Sequence, residues 1–144
     1  MGKVKDILCA KGYGVFTVAP DQTVYEGLQL MVEKRLGSLL IIENEQLVGI
    51  FTERDYARKL ILKGKASKDT PIGEVMTENP ICVSPDDSVE VCMKLMVGKT
   101  IRHLPVMDKE QLVGLISISD VLKYIIDEQR YIIDNLQHYI TDSQ

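Results

Sequence analysis

The sequence predicts an α+β fold: two β-α-β-β-α repeats related by a pseudo-two-fold axis, forming one module, with an extra helix at the C-terminus. Three observations predict it. Phe16–Leu60 aligns without a gap on Ile81–Ile125 at a constant offset of about 65 residues, with about a third of positions identical. Each copy carries the same order of short apolar runs, helical periodicity and turn signals. One unit of about 45–60 residues is also too small to bury a comfortable core alone, so two must share apolar surface.

The elements follow in order. A short apolar strand (Val15–Val18; Ile81–Val83) runs into Pro20-Asp21 or Pro85-Asp86, where acids and hydroxyls can cap a helix start. A helix comes next, with apolar residues at Val24, Leu28, Met31 and Val32, or at Val89, Met93, Leu95 and Met96. Gly37 and Gly98 lie near the helix ends, where a left-handed residue is wanted. A strand (Ser38–Ile42; Leu104–Met107), a polar turn and a third strand (Leu47–Phe51; Leu112–Ile116) make a hairpin. A second helix opens at Thr52 or Ser117. The expected division is 1–64, first repeat with its lead-in; 65–78, linker and lead-in helix; 79–125, second repeat; and 126–144, a C-terminal amphipathic helix. The stretch Lys63–Thr70 reads as a flexible connector stopped by Pro71. Pro71–Thr77 reads as a short lead-in helix, and Lys3–Leu8 as its weaker counterpart.

Composition narrows the function classes. The chain has 144 residues, a formal charge of −4 and 45% apolar residues, a composition suited to a packed domain. Its basic residues are scattered among acids and tryptophan is absent, so neither a phosphate-backbone patch nor a base-stacking stripe is present. Cys9, Cys82 and Cys92 form no metal or disulfide pattern, and no metal is expected. No secretory signal opens the chain, and the longest apolar run is far short of the ~20 residues that span a membrane. The expectation is a cytoplasmic protein, or one of an organelle matrix after removal of a transit peptide.

The distinctive strings are Leu47-Val48-Gly49-Ile50-Phe51-Thr52-Glu53-Arg54-Asp55, Leu112-Val113-Gly114-Leu115-Ile116-Ser117-Ile118-Ser119-Asp120 and Ile101-Arg102-His103-Leu104-Pro105-Val106. On these residues the chain resembles the CBS domain family, from about Val4 to Tyr124, and in detail stand-alone two-repeat members of bacteria and plant organelles. The resemblance implies a regulatory, non-enzymatic module. Members bind AMP, ADP, ATP, NAD or S-adenosylmethionine between paired repeats and pass occupancy to an effector, expected here to be a separate protein. It leaves a ligand-free structural or adaptor role, or a thiol-system (thioredoxin-type) regulator, as alternatives.

The candidate ligand residues each have two readings. Thr52-x-x-Asp55 and Ser117-x-x-Asp120 are capping boxes in form. The same geometry opens a helix N-terminus to a phosphate, and the resemblance makes the carboxylate a ribose acceptor. Arg54, matched by Ser119, is a phosphate fork or a solvated cation. Arg102-His103, matched by Gly37-Ser38, implies by resemblance basic groups facing phosphates; His103 alone also reads as a half-buried histidine. Thr17-Val18 and Cys82-Val83 are strand residues. By resemblance their backbones meet an adenine edge contributed to by the opposite repeat. One site then combines Thr52, Arg54 and Asp55 with Cys82 and Val83. The other combines Ser117, Ser119 and Asp120 with Thr17 and Val18. No catalytic nucleophile with an orienting acid is identifiable. Past the second repeat, Leu122, Ile125, Ile126, Ile133, Leu136 and Tyr139–Ile140 form an apolar stripe. It is read as part of a homodimer contact, alongside stacking of modules; its polar face is too poor in Lys and Arg for a membrane surface.

Overall fold

The computed structural model describes residues 2–142; residues 1, 143 and 144, at the ends of the expected first and last segments, lie outside the described residues. Its elements are α1 (Val4–Lys11), β1 (Thr17–Val18), α2 (Val24–Lys34), β2 (Ser38–Glu43), β3 (Gln46–Thr52), α3 (Glu53–Asp55), β4 (Thr77–Glu78), α4 (Val89–Lys99), β5 (His103–Asp108), β6 (Gln111–Ser117) and α5 (Ile118–Asp142). The fold is the expected α+β duplication.

Repeat equivalence extends to single residues. Helix α2 buries Val24, Gly27 and Met31, and α4 buries Val89, Cys92 and Met96, the same three positions one helical face apart. Thr23 and Ser88 cap them by accepting the amides of Glu26 and Val91, both at 3.1 Å. The hairpins β2–β3 and β5–β6 have the same register and the same bulge. Both turn through two left-handed residues, Asn44-Glu45 and Lys109-Glu110, a turn whose twist matches that of the strands.

Several local expectations are corrected. Val32, expected on the apolar face of α2, is 79% exposed, as is its counterpart Val97 at 75%. The left-handed helix ends are Arg35 and Thr100, not Gly37 and Gly98; Gly98 lies inside α4. The second helix of the first repeat is not one regular helix. After α3 the chain widens into a π-helix, Tyr56–Leu60, and tightens into a 3₁₀ turn, Ile61–Lys63. The connector is tied down rather than free: the amides of Val24 and Tyr25 donate to the carbonyls of Thr70 and Ser67, satisfying orphan donors of α2.

The lead-ins reverse their expected strengths and exchange cores. Pro71–Thr77 holds only a 3₁₀ turn, Ile72–Glu74, whereas Lys3–Leu8 opens the full helix α1. Val4, Ile7 and Leu8 of α1 join the second repeat's core with Val89, Leu104, Val106 and Ile116. Ile72 and Val75 join the first repeat's core with Val24, Leu39, Ile41 and Phe51. Backbone bonds sew both exchanges in the same way. The Val4 and Lys5 amides donate to Asp87 and Pro85; the Ile72 and Gly73 amides donate to Gln22 and Pro20. Each half is therefore completed by the other half's lead-in. Strand β4 continues this exchange, pairing with β3 in the order β1-β2-β3-β4, while β5-β6 forms a two-stranded sheet bridged by Val83 to Val106.

Candidate functional site

The two strand-to-helix junctions face one cavity of about 490 Å³ between the halves. It is lined by Thr52, Arg54 and Asp55 from the first repeat and by Arg102, His103, Ser117 and Ser119 from the second. Thr77, Gly37 and Glu53 also line it, and sequence reasoning had not put them there as site residues. That size falls among cavities that hold small organic ligands. Arg54 spans the halves: its Nη1 donates to the Thr100 carbonyl at the end of α4, at 2.8 Å. Gly37 lies against the His103 ring, where a Cβ would be 3.3 Å from Nε2. The first repeat thus makes room for the imidazole that the second repeat supplies.

Thr52 leaves β3 with extended backbone and caps α3. Its amide donates to Asp55 Oδ2 at 2.9 Å, and the Asp55 amide donates to Thr52 Oγ1 at 3.3 Å, the reciprocal pair of a capping box. The Thr52 hydroxyl donates to Oδ2 at 3.1 Å, and the Thr77 hydroxyl to Oδ1 at 2.9 Å. Lys59, on the π-helix, reaches Oδ1 at 3.2 Å. Asp55 is consequently a buried, fully engaged carboxylate whose side chain is 7% exposed.

The second junction repeats the box with different company. The Ser117 amide donates to Asp120 Oδ2 at 2.8 Å, and the Asp120 amide to Ser117 Oγ at 3.2 Å. The cation here comes from α1: Lys11 Nζ donates to Asp120 Oδ2 and to the Leu115 carbonyl, both at 2.6 Å. Burial alone would raise the Asp120 carboxyl, but the Lys11 ammonium and the Ser117 groups outweigh it and hold it below the ordinary carboxylate value. Burial, reinforced by Lys11 and Arg102 and opposed by Asp120 and Glu53, lowers the His103 imidazole below its ordinary value.

The remaining expected residues lie elsewhere. Asp120 is not on the cavity wall. Val18 and Val83 are buried in the two cores. Thr17 faces a separate shallow groove between the hairpin turns, with Glu45, Gln46, Lys109 and Glu110. Cys82 is half-buried, its thiol donating to the Pro80 carbonyl at 3.3 Å. Lys11, Lys59 and Thr77 are polar partners of the two carboxylates that were not among the expected site residues. Among the described residues no group of three His, Cys, Asp or Glu could hold a metal ion, and no helix is long and apolar enough to cross a membrane.

Comparison with known proteins places this geometry. A family model described as "CBS domain" matches residues 4–62 and 72–127. The chain is 36% identical, over 95% of its length and 71% of the relative's, to CBS domain-containing protein CBSX3, mitochondrial, of Arabidopsis thaliana. It resembles the structure of a putative signal-transduction protein with CBS domains from Burkholderia ambifaria, with 43% identity and a TM-score of 0.85, covering 88% of this chain and 96% of that one. It also resembles the CBS domain pair of protein MJ0100 in complex with 5′-methylthioadenosine and S-adenosyl-L-methionine, with 26% identity and a TM-score of 0.78, covering 89% and 98%.

Proposed function

The chain belongs to the CBS-domain family, and on that premise we propose that it is a regulatory, non-enzymatic module that binds an adenine nucleotide in the cavity between its repeats. The observation that carries this reading is the cavity itself. It joins two helix starts and gathers Arg54, Arg102 and His103 around hydroxyls of Thr52, Ser117 and Ser119. Helix starts and guanidinium groups attract phosphate oxygens. Asp55 lines the same space and offers a carboxylate to a sugar once Thr77 or Lys59 gives way. The structural neighbour with bound adenosyl compounds supports the ligand class.

Occupancy has a mechanical route to a partner. A ligand touching both repeats favours whichever relative orientation it binds more tightly. The exchanged lead-ins and the Arg54–Thr100 bond are the links such a shift would load. The outcome would be an altered surface for a separate effector protein. The same reading gives α5 a second copy of the chain, making the working unit a homodimer. Leu122, Ile126, Ile133, Leu136 and Ile140 recur at coiled-coil spacing, broken once by Gln129.

A thermal-shift panel with AMP, ADP, ATP, NAD and S-adenosylmethionine tests the proposal, since a ligand for the native state raises apparent stability. A rise with at least one ligand is expected, and it should vanish in Arg54→Ala and Asp55→Asn proteins that still fold. No rise with any of the five would refute it.

A further inference from the structure

The two carboxylates are guarded unequally. Lys59 is four residues from Asp55 and is shared among three acceptors: Asp55 Oδ1 at 3.2 Å, the Met76 carbonyl at 3.2 Å and Thr77 Oγ1 at 3.4 Å. It can leave Asp55 and keep the other two. Among the described residues Lys11 Nζ donates to two acceptors, both at 2.6 Å, Asp120 Oδ2 and the Leu115 carbonyl. Charge-assisted bonds of that length are the strong ones. Its backbone is also anchored, because α1 is held by Val4, Ile7 and Leu8 inside the second core. In the first repeat the corresponding lead-in stops being helical and pairs as β4, so a neutral hydroxyl, Thr77, meets Asp55 instead. The difference lies in position and not in exposure: Asp55, with 7% of its side chain exposed, is on the cavity wall, and Asp120, with 22%, is turned to Lys11 off that wall.

We propose that Lys11 is a latch on the Asp120 carboxylate, withholding it from ligand while Ser117 and Ser119 of the same helix start stay on the shared cavity, so that each chain binds one nucleotide, on the Asp55 side. The stoichiometry rests on the nucleotide reading above; the latch does not. Lys11 is therefore a residue that sets site number, and anything that neutralises its ammonium opens a second site.

Two measurements test this. The first needs no nucleotide: acylation by N-hydroxysuccinimidyl acetate, read lysine by lysine from peptide masses. Lys11 should react more slowly than Lys5 and Lys34, and should speed up several-fold in Asp120→Asn. Equal rates in both proteins would overturn the latch. The second is calorimetric titration with whichever of the five ligands gives the largest thermal shift. The expected result is one site per chain in the wild type, two in Lys11→Met, and one again in Lys11→Met/Asp120→Ala. Two sites in the wild type, or one in Lys11→Met, would overturn the site-number claim. If no protein binds any of the five ligands, the nucleotide reading falls and takes the site number with it, and the acylation rates alone decide the latch.

Discussion

Leu8, near the start of the chain, packs against the bare Cα of Gly114 in the last strand: a Cβ on that glycine would lie 2.8 Å from Leu8 Cδ2. Met76 occupies the matching place over Gly49. Each repeat's third strand thus carries a glycine because the other repeat's lead-in comes close there.

The exchange makes a directional prediction. Leu8→Ala should cost about 2–5 kcal/mol, the range for truncating a fully buried leucine. The damage should appear in the second repeat, not in the first to which Leu8 is adjacent in sequence. Hydrogen exchange should quicken in β5 and β6 while β2 and β3 stay protected. Loss of protection confined to β2 and β3 would contradict the exchanged cores.

Acid should probe the Lys11–Asp120 pair. Asp120 has a lower carboxyl pKa in the folded chain than its ordinary 3.8. Its contribution is therefore complete above that ordinary value and is lost as pH falls through the lowered one. Denaturant melts of the wild type and Lys11→Met, compared from pH 5 downward to about pH 2, should differ most at the upper end and converge in strong acid. A constant difference across the range would mean that the pair does not hold the carboxylate down.

The three cysteines should separate by reactivity. Cys9 is exposed, Cys82 half-buried and Cys92 buried, and burial, aided by Asp87, pushes the Cys92 thiol up to about 11. Burial raises Cys82 as well. Thiolates are the reactive form. Iodoacetamide should label Cys9 first, Cys82 slowly, and Cys92 only on unfolding, as read by peptide mass. Rapid labelling of Cys92 in the folded chain would contradict its place in the core. A thiol-dependent regulatory role would act most readily through Cys9, the exposed thiol.

Residues 131–141 of α5 are exposed, Ile132, Ile133 and Leu136 among them. A single helix of that length is marginal in water without a packing partner. Light scattering should give a dimer for the wild type, and Ile133→Glu/Leu136→Glu should shift it toward monomer. A wild-type monomer at micromolar concentration would count against pairing of this helix.

The duplication made most of the architecture legible in the sequence. Val24 and Val89, or Met31 and Met96, could be matched before any coordinates, and both pairs are buried. The exchange was not legible, because apolar periodicity says that Ile7 and Leu8 need a core but not which one. A trace of it exists: the paired backbone bonds relate Val4 to Ile72 and Lys5 to Gly73, whereas their acceptors follow the repeat spacing. The lead-ins are thus displaced by three residues relative to the repeats. The capping boxes at Thr52 and Ser117 were readable from their spacing. Of their ammonium partners, Lys59 stands at the ordinary i,i+4 helical spacing from Asp55 and could have been read, whereas Lys11 comes from a helix distant in sequence and could not. Arg35 and Thr100 took the left-handed helix ends against residue preference, because the following strand must turn there and neither glycine stands at the right position.

The most direct test of the central claim is chemical-shift mapping of the ¹⁵N-labelled chain during titration with whichever of AMP, ADP, ATP, NAD and S-adenosylmethionine gives the largest thermal shift. The account predicts that the largest shifts fall together on Thr52, Arg54, His103, Ser117 and Ser119, one set of signals drawn from both repeats, saturating along a single curve. An unchanged spectrum, or shifts confined to one repeat or to the distal part of α5, would contradict it.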